Sequence, residues 1–242
     1  MALFGLLCFS ASLLASLVVG TRLLFLARRT RELPELAIAI AFLAGGVVGY
    51  TLVVLAIMNR IPADYTVSVG FLSSVGIQTG GLAIAFFTRR VFRPTERWAG
   101  VAFATLCVVG LIAAFGRFLD SPEVPRGPIG FWFGMAGTLG CYAWACYESL
   151  RYHAQLRRRL KLGLADPAVT HRVFLWAIGS GATTVISLFY VWLRLMGLRA
   201  FPPAVQVFLY LVSLATAIAI WLAFFPPAAY QRRFQRESVP TR

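Results

Sequence analysis

Residues 66–88, TVSVGFLSSVGIQTGGLAIAFFT, hold no charged side chain and are followed at once by Arg89 and Arg90, then by Arg93 and Arg97. A helix needs about 20 mainly apolar residues to cross the hydrocarbon of a bilayer. Backbone groups inside hydrocarbon find partners only within a helix or a closed barrel. The stretch therefore predicts a membrane-crossing helix with a basic stop at one end.

Runs of the same kind extend on both sides of it, at residues 2–26, 34–58, 98–119, 129–148, 173–196 and 204–225. Seven spans use up most of the 242 residues. The predicted fold is an all-α integral membrane protein, a single bundle of seven transmembrane helices with no separate soluble domain. Composition points the same way, with 59% hydrophobic and 13% charged residues against about 25% charged in a soluble domain. The first run lacks a basic segment ahead of it and is longer than a secretory core, so it reads as a retained helix, not a cleaved leader.

The formal charge of +14 sorts by loop. Arg28, Arg29 and Arg31 follow the first span, the Arg89–Arg97 cluster follows the third, and Arg151, Arg157, Arg158, Arg159, Lys161 and Arg172 follow the fifth. Arg232, Arg233, Arg236 and Arg242 lie in a basic tail over 226–242. The alternate loops carry Arg60, Arg117, Arg126, Arg194 and Arg199, partly offset by Asp64, Asp120 and Glu123. Basic loops mark the cytoplasmic side. The alternation predicts an outside N-terminus and a cytoplasmic C-terminus. Lys161 is the only lysine; so strong an arginine bias suggests a GC-rich bacterial genome and hence the inner (plasma) membrane.

Boundary residues fit these spans. Asp166-Pro167 reads as an N-cap followed by a first-turn proline, and Pro34 with Glu35 suits another helix start. Phe224-Phe225-Pro226-Pro227 closes the last span. Between spans, close packing wants small residues. Gly45 with Gly49, Gly76 with Gly80, Gly130 with Gly134, and Gly137 with Gly140 place the second, third and fifth helices inside the bundle.

Several chemistries lack their residues. The seventh span has no lysine for a retinal Schiff base, and the only histidines, His153 and His171, lie in one basic segment, away from any span centre where they could ligate haem or activate Ser180. No carboxylate lies near a span centre; Glu148, at the end of the fifth span, reads as the partner of Arg151 or another arginine of that face. Cys8, Cys107, Cys141 and Cys146 show no metal-ligand spacing. No cofactor is expected and no enzyme is indicated. Basic residues spread over every second loop do not form a nucleic-acid motif.

Three candidate sites remain. A mid-membrane amide such as Gln78 needs partners; interhelical hydrogen bonding supplies them, and the functional alternative is a polar pocket of Tyr50, Gln78, Thr184 and Gln206 for a neutral or lipid-like molecule. Arg117 and Arg194 form a candidate outer anion contact, although Arg194 near a span end could equally snorkel or pair with Asp120. Residues 147–165 read as a basic cytoplasmic extension of the fifth helix. There Leu150, Leu156 and Leu160 interleave with Arg151, Arg157, Arg158, Arg159 and Lys161, a pattern suited to anionic lipid headgroups or a cytoplasmic protein partner. The leading expectation is a non-enzymatic sensing or protein-interaction module with a basic cytoplasmic face. The alternative is a carrier or binding protein for a small neutral or lipid-like molecule.

Overall fold

The computed structural model of the chain describes residues 2–58, 60–119, 128–198 and 200–227. They form seven long helices: α1 (Ala2–Thr30), α2 (Leu33–Ile57), α3 (Thr66–Phe92), α4 (Arg97–Leu119), α5 (Pro128–Lys161), α6 (Pro167–Leu195) and α7 (Pro203–Phe224). No strand occurs among the described residues. All but α5 are long and apolar enough to cross a membrane. The apolar part of α5 is diluted by Gly130, Gly134, Gly137 and Gly140 and by Trp132, Tyr142 and Trp144, whose polar handles lower its hydropathy. The chain is an all-helical bundle of the membrane-embedded kind. Most of the basic tail, from residue 228 on, and the turn around Asp120 lie outside the described residues.

Helix ends follow local chemistry. Asp166 accepts from the Ala168 N–H at 2.8 Å, so its carboxylate caps α6, which begins six residues before the apolar run at 173. Pro34 sits in the first turn of α2. The extension predicted over 147–165 is one helix with the fifth span and stops at Lys161. There the backbone tightens, Gly163 turns to φ +69°, and Leu164 N–H bonds back to the Arg159 carbonyl. This left-handed position after a helix is one that glycine fills without strain.

The helices close into a ring. Going round it, α1 packs on α2, α2 on α3, α3 on α5, α5 on α6, α6 on α7, and α7 on α1, while α4 fills the outer groove between α3 and α5. The α2–α3 contact is the closest. A Cβ on Gly80 would lie 2.7 Å from Gly45 Cα, and one on Gly76 would lie 2.9 Å from the Ala44 carbonyl oxygen. Residues Ala41–Gly49 of α2 are wound as a π-helix, and Tyr50 N–H reaches the Gly45 carbonyl five residues back. The sequence pattern did not foretell this widened turn. Glycines at 45, 46 and 49 remove the side chains that would oppose it; Gly45 and Gly49 seat α3, and Gly46 meets Ser16 of α1.

Candidate functional site

The two ends of the ring are built differently. At the arginine-rich end, Phe42 of α2, Phe87 of α3, Trp176 of α6 and Phe224 of α7 meet across the middle. Phe42 lies edge-on to Trp176 and to Phe224, at centroid distances of 6.4 and 6.2 Å, and Phe87 lies 5.5 Å from Trp176. Edge-to-face aromatic contacts of this kind are mutually favourable. Val19, Leu23 and Ile38 fill in around them, so this end is plugged.

Aromatic side chains continue beyond the plug. On α6, Trp176, Thr183 and Tyr190 recur at intervals of seven, as do Tyr210, Ala217 and Phe224 on α7. Seven residues are close to two turns, so Tyr190 and Tyr210 stand on the same helix faces as the plug residues, about 21 Å along the axis. Tyr50 stands about 12 Å beyond Phe42 on α2 by the same rise. Tyr210 lies edge-on to Phe4 of α1 at 6.0 Å, and Tyr190 lies edge-on to Phe201 at 5.1 Å. Tyr50 is 41% exposed and Tyr190 is 44% exposed. Ser12 and Ser213 are hydrogen-bonded across α1 and α7 at 3.1 Å. The Arg194 guanidinium lies 5.6 Å from the centre of the Phe131 ring.

A side pocket of about 50 Å³ lies between α2, α3 and α5, lined by Val53, Ser73, Ser74, Ile77, Gln78, Phe131, Met135 and Thr138 with Gly130 and Gly134. Gln78 donates its amide N–H to the Gly134 carbonyl at 3.3 Å, and the Ser73 hydroxyl donates to the Gly49 carbonyl at 3.1 Å. Gln78 therefore joins α3 to α5, the interhelical bond expected of it. Phe131, Met135, Thr138 and Tyr142 follow one another at spacings of four, three and four. One face of α5 thus leads from the pocket to Tyr142, which packs against Ala41 and Ile84.

The arginine-rich end carries an ion cluster. Arg93, in the α3–α4 turn, bonds the buried Glu148 of α5 through Nε at 2.9 Å and also pairs with Glu96. Glu96 in turn accepts from the Trp98 indole, and the Arg93 guanidinium lies 5.6 Å from the Trp98 ring centre. Hydrogen bonds from Arg93 and Trp98 hold the Glu96 carboxyl below the usual carboxylate range. The two carboxylates push the Arg93 pKa further up. Arg22, one of the few charges within an apolar run, donates to the Phe224 carbonyl at 3.2 Å and lies 4.5 Å over the Phe225 ring. It satisfies a carbonyl that the end of α7 would leave orphaned.

The basic extension of α5 is held to α6 by His153, whose Nδ1 lies 3.0 Å from the Thr170 carbonyl and whose ring lies against Phe174 at 4.9 Å. Leu156 is buried, whereas Arg151, Arg157, Arg158, Arg159 and Lys161 are exposed, as are Leu150, Leu162 and Leu164.

Of the four residues grouped from sequence, only Gln78 lines the side pocket. Tyr50 is exposed on α2 outside that pocket; Thr184 bonds back to the Ser180 carbonyl at 2.9 Å; Gln206 lies near the start of α7, a partly buried residue. Ser74, Thr138, Tyr142, Tyr190 and Tyr210 were missing from that group, and the seven-residue spacing on α6 and α7 was the signal that could have found the last two. The Arg117 side chain and Asp120 lie outside the described residues, so Arg194 is the one arginine of the proposed outer pair whose side-chain position is described. Glu148 pairs with Arg93 and not with the nearby Arg151. Comparison with known protein families, with curated proteins and with solved structures found no match to this chain.

Proposed function

We propose that this protein is a non-enzymatic sensing module of the inner (plasma) membrane. In this reading a small neutral or lipid-like molecule enters a chamber between Tyr50, Tyr190 and Tyr210, and the basic face, turned to the cytoplasm with the N-terminus outside, is the output side. The observation that carries the reading is the free surface of Tyr50 and Tyr190 beyond the aromatic plug. Phenol faces with no charged wall favour an uncharged guest. The exposed arginines of the α5 extension add about 1 kcal/mol each toward anionic headgroups and leave a surface for an acidic cytoplasmic partner. The arrangement of basic loops supports the orientation.

A carrier is the second reading, because the chamber stops at a plug made only of side-chain contacts, which a helix shift could part. Mass spectrometry of the protein released from native lipid tests the common core of both. The wild type should retain a neutral small molecule that Tyr50→Ala with Tyr190→Ala loses at unchanged expression. An empty wild-type protein overturns the chamber reading. Uptake into vesicles that falls with the same variant would select the carrier.

A further inference from the structure

Among the described residues, two hydroxyls of the side pocket have no partner. Ser74 is 8% exposed and Thr138 is 5% exposed, and both line the pocket. Many other serines and threonines of the bundle find a partner on their own helix. Ser12, Thr88, Thr105, Thr183, Thr184, Ser187 and Thr216 each return their hydroxyl hydrogen to the carbonyl four residues back. Ser74 and Thr138 make no such bond, and the Gly134 carbonyl, four residues before Thr138, is taken by Gln78. Neither hydroxyl oxygen is sealed from the pocket space, so a guest there can pair with both. The pocket is also held open by strong constraints, since Gln78 ties α3 to α5 and Ser73 ties α3 to α2 beside it.

We infer that the Ser74–Thr138 pocket binds the polar end of the chamber's ligand, a single hydroxyl, carbonyl or carboxamide group on an otherwise apolar molecule. This rests on the chamber reading above and names the class of guest. The volume of about 50 Å³ holds two or three heavy atoms, too few for a whole ligand. The remaining lining of Val53, Ile77, Phe131 and Met135 is apolar, and the Phe131–Tyr142 face of α5 leads the body of the molecule onto the phenols. The donor set decides against a metal ion. Hydroxyls and an amide offer hydrogens as well as lone pairs, and no carboxylate is present among the lining residues to balance a cation.

The test uses the full chain in nanodiscs, photolabelled with a twelve-carbon alkanol carrying a diazirine, with 1-dodecanol and dodecane as competitors. In the wild type, 1-dodecanol should displace label from α3 and α5 about tenfold better than dodecane, as expected for one or two recovered hydrogen bonds. Ser74→Ala with Thr138→Val should erase that advantage and leave displacement by dodecane unchanged, which also shows that the variant is folded. Thr138→Ser should restore part of it. Equal competition in the wild type means that water satisfies the hydroxyls; the head-group inference then falls while the chamber reading stands. Displacement by sodium chloride but not by choline chloride would assign the pocket to a cation and overturn it. If no label on these helices can be displaced at all, both readings fail together.

Discussion

Glu96 accepts from the Arg93 guanidinium and the Trp98 indole, and those two donors keep its carboxyl below the usual carboxylate range. A carboxylate whose pKa is lowered on folding stabilises the fold above its unfolded value, near 4.3. That contribution fades as the pH falls through the lower folded value. Thermal unfolding in detergent should therefore show a midpoint that drops between about pH 5 and about pH 3, with a smaller drop in Glu96→Gln; identical pH profiles would remove Glu96 from the account. Arg93 matters differently, because its other partner is buried. Arg93→Ala leaves Glu148 without its hydrogen-bond donor and should cost about 2 kcal/mol at neutral pH, measured by chemical unfolding. Glu148 could be read from sequence as a paired interfacial carboxylate, but not which arginine it meets. That choice depends on the turn after α3 bringing position 93 beside α5, a long-range event with no local pattern.

Among the elements, α2 and α3 are the pair whose contact was most legible in advance. Gly45, Gly49, Gly76 and Gly80 repeat at spacing four, and the structure seats Gly80 on Gly45. Gly80→Ala should destabilise the bundle by about 1–3 kcal/mol through forced separation of the two backbones, whereas Gly70→Ala, with open space around its Cβ position, should not; equal effects at both positions would refute the close-approach argument. Several helix ends were legible too, because proline and an N-cap aspartate act locally. The π-wound segment of α2 was not, since the same glycines fit an ordinary helix and only packing against α3 distinguishes the two windings. Tyr190 and Tyr210 were not singled out in advance, because neither carries a local motif and their place beyond the plug follows from ring closure. On the α5 extension, exchanging Arg157, Arg158 and Arg159 for glutamate should abolish recruitment of a cytoplasmic partner at unchanged insertion, read by co-purification. Unaltered co-purification would defeat the output-face idea.

For the whole molecule, the orientation proposed from charge is open to direct test. A reporter joined after Arg242 should be active only in the cytoplasm, and activity on the other side of the membrane would contradict both the count of crossings and the sense of the bundle. Ring closure also has a consequence for engineering. The first and last helices are neighbours, tied by Ser12 with Ser213 and by Arg22 with Phe224, so lateral proximity invites circular permutation. Yet α1 begins at one end of the bundle and α7 finishes at the other, separated by the length of a 22-residue helix, about 33 Å. A circularly permuted form therefore needs a connector long enough to run from the end of α7 back to the start of α1, the full length of the bundle.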